Sequence, residues 1–68
     1  MKKLYFKNSR GEKRVIAEVP NEAEAMEEIY SFCNDRNFEI YYVRSWETPD
    51  GFIKYDVGSW TKFFYLEV

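Results

Sequence analysis

Histidine is absent from this 68-residue chain, and cysteine occurs once, at Cys33. Without histidine the commonest general base and the commonest metal ligand are both missing. A lone cysteine makes no internal disulfide and no zinc site, which fits a reducing compartment and predicts a cytoplasmic location. Glycine appears three times and proline twice. Three scattered glycines provide neither a phosphate-binding loop nor a dinucleotide fingerprint, and each sits in a turn context. No apolar run approaches the length of a membrane span. The N-terminal MKKLYFKNSR has two lysines, but Lys7, Arg10 and Arg14 interrupt anything resembling a leader. The formal charge is −2 and the pI about 5.1, so no global basic field draws the chain to nucleic acid or anionic lipid. The expectation is a protein without catalytic function, cofactor, metal or membrane.

What the chain does have is aromatic mass: 21% of residues are Phe, Trp or Tyr, within a 46% hydrophobic composition. A chain this short buries only about 60% of its unfolded surface, and large rings offset that by giving each buried side chain more area. A further 32% of residues are charged, which keeps the surface soluble, and the hydrophobic and aromatic content argues for one small domain rather than a disordered segment.

Turn chemistry organises the last third, Trp46 to Val68. In Thr48-Pro49-Asp50-Gly51, Pro at the second place and Gly at the fourth predict a type I turn with a G1 bulge. Thr48 then stands opposite Phe52, and counting outward pairs Trp46 with Lys54, Arg44 with Asp56 and Val43 with Val57. Gly58-Ser59 reads as a two-residue type II′ turn that sets Val57 opposite Trp60. Upstream, Lys3–Lys7 and Glu12–Val19 read as strands joined by Asn8-Ser9-Arg10-Gly11, which repeats the turn pattern. Pro20 ends the second strand. Asn21 is an N-cap with Glu24 three residues on, and a helix is predicted from about Glu22 to Asn34, with a left-handed residue at Asn34 or Asn37. Ala23, Met26, Ile29, Tyr30 and Cys33, flanked by Ala25 and Phe32, form its apolar stripe. Cys33 on that stripe reads as a small core residue, and Glu22, Glu24, Glu27 and Glu28 as capping and solvated carboxylates.

The predicted order is ββαβββ: an α+β domain in which one helix packs on one face of an antiparallel sheet. Alternation divides the last three strands into two faces. Tyr41, Val43, Ser45, Ile53, Tyr55, Val57, Trp60, Phe64 and Leu66 lie on the aliphatic face, the expected core. Ile40, Tyr42, Arg44, Trp46, Phe52, Lys54, Asp56, Thr61, Phe63 and Tyr65 lie on the other. One helix cannot cover both, so Tyr42, Arg44, Trp46, Phe52, Phe63 and Tyr65 are the candidate partner-binding residues. The bland alternative is that the sheet curls or that Lys54 and Arg44 stems lie over the rings.

Exposed aromatics with an arginine are the composition of a protein interface, for self-association as a homodimer or for a heterologous target. The same face is a stacking platform for single-stranded nucleic acid if basic residues flank it. Lys3, Lys7, Arg10, Lys13 and Arg14 all belong to the first hairpin, so its position relative to the aromatic face separates the two readings.

The segment Asp56-Val57-Gly58-Ser59-Trp60-Thr61-Lys62-Phe63-Phe64-Tyr65-Leu66 resembles small uncharacterised proteins encoded by phages and prophages of Gram-positive bacteria, many of which end in a D-x-G-S-H-T-x-F-F-like segment. The resemblance covers about a sixth of the chain, and Trp60 stands where the pattern has histidine. It implies an accessory factor that binds host or phage proteins.

Overall fold

In a computed structural model covering Met1–Val68, five antiparallel strands form a single sheet with one helix. The strands are β1 (Lys2–Lys7), β2 (Lys13–Val19), β3 (Arg44–Glu47), β4 (Phe52–Asp56) and β5 (Phe63–Glu67), and the helix α1 (Glu22–Asp35) lies between β2 and β3. Their order across the sheet is β2-β1-β5-β4-β3. The α+β, ββαβββ arrangement expected from the sequence is the one found. Because β2 and β3 are the two edges, the segment joining them has to cross the whole sheet, and α1 makes that crossing over one face. No helix is long and apolar enough to cross a membrane.

The first hairpin turns on Asn8, whose Oδ1 accepts from the backbone N–H of Arg10 and Glu12 at 2.9 and 3.1 Å. Gly11 takes φ +81° there, a conformation that costs glycine little. The helix begins at Asn21, with extended backbone and Oδ1 accepting from Glu24 N–H at 2.9 Å. It ends in a Schellman motif. Asn37 is left-handed at φ 57°, its N–H donates to Asn34 O, and Phe38 N–H reaches back to Cys33 O at 2.8 Å. The motif folds Phe38 against Phe32, ring centroids 6.4 Å apart.

The helix buries Ala25, Ile29, Phe32 and Cys33. This stripe is rotated from the expected one: Ala23 is exposed, Tyr30 is 51% exposed, and Ala25 and Phe32 take their places. The cause is Phe32, which enters a three-ring contact with Phe6 of β1 and Phe64 of β5, at centroid distances of 4.7 Å to Phe6 and 5.7 Å to Phe64. Leu4, Leu66, Val19, Tyr55 and Val57 complete the core around it.

Two expectations for the last third are corrected. Gly58-Ser59 is not a two-residue hairpin loop. Asp56 pairs with Phe63 and Tyr55 with Phe64, so the connection runs from Val57 to Lys62, and Trp60 is 95% exposed instead of facing Val57 in the core. Side-chain acceptors build the longer loop: Asp56 Oδ1 takes Gly58 N–H at 2.9 Å, and Ser59 Oγ takes Thr61 and Lys62 N–H at 3.3 and 3.2 Å. The third strand does not start at Ile40 either. Tyr41 N–H donates to Val57 O, but the ladder holds only from Arg44; Val43 and Val57 are not a ladder pair, and Tyr41 is 69% exposed. Tyr41 and Tyr42 pack against Gly58, leaving no room for a Cβ there.

Candidate functional site

The face of the sheet away from α1 is built from strand registers. One row runs Lys7, Phe63, Asp56, Arg44 across β1, β5, β4 and β3, and the next runs Tyr5, Tyr65, Lys54, Trp46. Phe52 stands beside them, paired with Glu67. Alternation placed Arg44, Trp46, Phe52, Phe63 and Tyr65 together on this face, and the registers keep them together. The misjudged loop leaves this face intact because the correction is two residues, which keeps the β5 side chains on their expected sides. Tyr42 lies outside the ladder, half exposed, with its ring 5.2 Å from the Arg44 guanidinium carbon.

Two residues that alternation did not assign to this face join it. Tyr5 lies edge-to-face with Phe52, centroids 5.8 Å apart at 84°, and Phe52 meets Tyr65 at 6.1 Å and 85°. Lys13 arrives through a β-bulge. The β1–β2 register slips between Leu4 and Tyr5, where Leu4 opposes Ala17 but Tyr5 opposes Val15. The extra residue, Ile16, reverses the facing of the outer half of β2, and Lys13 turns to the aromatic side. Its ammonium sits 4.4 Å from the Phe52 centroid, 4.8 Å from Tyr65 and 5.6 Å from Tyr5. The apolar run Val15-Ile16-Ala17, which breaks strict alternation, is the sequence signal that could have found this bulge. For Tyr5 the signal was its position between Leu4 and Phe6, which both face the core.

Lys54 mirrors Lys13, with its ammonium 4.2 Å from the Phe63 centroid and 5.7 and 5.8 Å from Tyr65 and Trp46. Basic side chains therefore do lie over part of the aromatic face: Lys54 over Phe63 and Arg44 beside Tyr42, as expected, joined by Lys13. Arg44 also binds Asp56, Nη2 to Oδ2 2.9 Å. The Gly58 N–H and the Arg44 guanidinium together hold the Asp56 carboxyl below its ordinary range. The Asp50 carboxyl is also lowered, first by the Thr48 hydroxyl and its own backbone N–H, with the Lys13 charge contributing.

The helix carries five carboxylates, Glu22, Glu24, Glu27, Glu28 and Asp35, and no cation; on the opposite face Lys7, Lys13, Lys54 and Arg44 lie among the carboxylates of Asp56 and Glu67. Cys33 lies 1% exposed beneath the helix, where burial pushes its thiol up, away from the reactive thiolate. No group of three or more Cys, Asp or Glu side chains is placed to hold a metal ion. A concave region of about 610 Å³ opens between Phe38–Tyr42 and the Val57–Lys62 loop.

Comparison with protein-family models, curated proteins and solved structures finds no match.

Proposed function

We propose that the protein is a small non-enzymatic binding factor that recognises another protein through the outer sheet face, by self-association or by occluding a heterologous target. The observation that carries this reading is the assembly of Tyr5, Trp46, Phe52, Phe63 and Tyr65 from four strands on the face that α1 leaves uncovered, with Trp46 44% exposed at its edge. Aromatic rings with arginine and lysine at a rim match the composition of interface hot spots. The phage-protein resemblance supports a host or phage protein as target, and the single cysteine supports the cytoplasm as the place of action.

Cross-linking tests this. A photoreactive residue at position 46 is expected to capture a defined protein, or a second copy of the chain, that the same residue at exposed Ser31 on the helix does not. Equal products from both positions, or none from position 46, would overturn the reading.

One observation favours a second reading. The first hairpin lies beside the aromatic face, so Lys7 and Lys13 flank the rings as a single-stranded nucleic acid would require. That reading predicts binding to oligonucleotides that weakens steeply with salt, and absence of binding at low salt would remove it.

A further inference from the structure

Three rings and one ammonium form the most specific geometry on the outer face. Tyr5 and Tyr65 each pack edge-to-face with Phe52, at 84° and 85°. The Lys13 ammonium lies within 6 Å of all three centroids, the range over which a ring quadrupole attracts a cation. Lys13 itself is exposed, so its side chain leaves the rings at small cost.

We propose that Tyr5, Phe52 and Tyr65 are a recognition box for a methylated ammonium group, and that Lys13 occupies it as an internal plug until a partner presents that group. The ligand chemistry follows from the box. A primary ammonium is compact and strongly hydrated, and keeps much of its water at an open site. A quaternary ammonium is larger and less hydrated, would reach all three rings from the place the Lys13 ammonium holds, and is the cation that aromatic cages favour. Covalent tethering gives Lys13 a high effective concentration at the rings, so the plug suppresses weak cations and yields to a better one. This inference rests on the outer face being the binding surface, and it names the chemistry that one part of that face recognises.

The test uses tetramethylammonium as probe, read by chemical-shift changes of the Tyr5, Phe52 and Tyr65 ring protons. Lys13→Ser, at an exposed position, is expected to bind the probe about tenfold more tightly than wild type, the effect of removing one competing cation–π contact. Adding Phe52→Leu, which keeps apolar volume but removes the middle ring, is expected to abolish that gain. Choline and an N-acetyl trimethyl-lysine amide, run separately, distinguish a free small molecule from a modified side chain, and tight binding of either supports the box. Lys13→Ser binding no tighter than wild type would overturn the proposal. So would equal shifts with 3,3-dimethylbutan-1-ol, the uncharged shape analogue of choline. Because the probe is a small cation, a negative titration leaves the cross-linking result at position 46 untouched, and failed cross-linking leaves the titration interpretable.

Discussion

Arg44 faces Asp56 across the β3–β4 ladder, and the same carboxylate that receives its guanidinium at 2.9 Å also receives the Gly58 N–H at 2.9 Å. One buried side chain thus joins the edge strand to the loop that follows β4. Asp56 is only 8% exposed, so neutralising it costs more than a surface ion pair would.

The first prediction concerns pH. The folded pKa of Asp56 lies below its unfolded value, which is about 3.9. Its contribution to stability is therefore complete above that range and is lost as pH falls through the lower folded value. Thermal unfolding followed from pH 6 down to pH 2 is expected to show a loss of stability that Asp56→Asn removes in part. At pH 6 the same variant should itself be less stable by about 1–3 kcal/mol. An Asp56→Asn profile parallel to wild type across the acid range would show that the carboxylate does not carry this term.

The second prediction separates two glycines of similar conformation. Gly51 and Gly58 have φ +87° and +90°. A Cβ at Gly51 meets nothing within 4 Å, whereas at Gly58 it would stand 2.9 Å from Tyr41 Cβ and 3.2 Å from Tyr41 Cδ2. Gly51→Ala is expected to cost only the left-handed backbone penalty, about 1–2 kcal/mol. Gly58→Ala should cost clearly more, because the backbone of the Phe38–Val43 segment must move as well. Equal losses in denaturant unfolding would rule out the Tyr41 contact as the reason for glycine.

How far the fold was legible follows from which turns are local. Thr48-Pro49-Asp50-Gly51 contains its whole specification, and Thr48 N–H does donate to Phe52 O at 2.7 Å, which fixes Arg44 against Asp56 and Trp46 against Lys54. Gly58-Ser59 contains only half of its own. The glycine is left-handed as expected, but the side chains of Asp56 and Ser59 capture backbone N–H groups and extend the loop to Lys62. A pattern of residue types gave no weight to those two acceptors. The helix stripe was misjudged for a different reason: helical spacing admitted both Tyr30 and Phe32, and only the position of Phe6 and Phe64 across the sheet selects Phe32. The outer face was legible ring by ring within the last three strands. Arg44 and Lys54 were legible with them, but Lys13 was not, because it reaches the face only through a bulge in a different hairpin.

A third prediction contrasts two large aromatics of one segment. Phe64 is fully buried between Phe6 and Phe32, and Trp60 is 95% exposed four residues earlier. Phe64→Ala should cost about 3–5 kcal/mol, enough to unfold much of a marginally stable domain of this size. Trp60→Ala should change stability by no more than about 0.5 kcal/mol. Circular dichroism melts of the two variants check this, and a large loss from Trp60→Ala would mean that the ring is packed in solution.

The last prediction has the opposite sign to most core substitutions. Tyr55 is 2% exposed, and its hydroxyl is the one buried side-chain polar atom without a hydrogen-bond partner. Burial, and then the charge of Glu22, raise its pKa, so the group stays a neutral hydroxyl with no acceptor for its proton. Leaving a buried polar group unpaired costs about 1–3 kcal/mol. Tyr55→Phe removes that group and leaves the ring in place opposite Phe64. The substitution should therefore be neutral or stabilising by up to about 1 kcal/mol, the missing hydroxyl volume offsetting part of the gain. Denaturant unfolding of the variant decides the matter. A loss above about 1 kcal/mol would mean that the hydroxyl finds a partner in solution, with a water near the helix N-terminus the first place to look, since Glu22 begins α1 within reach of its electrostatic influence.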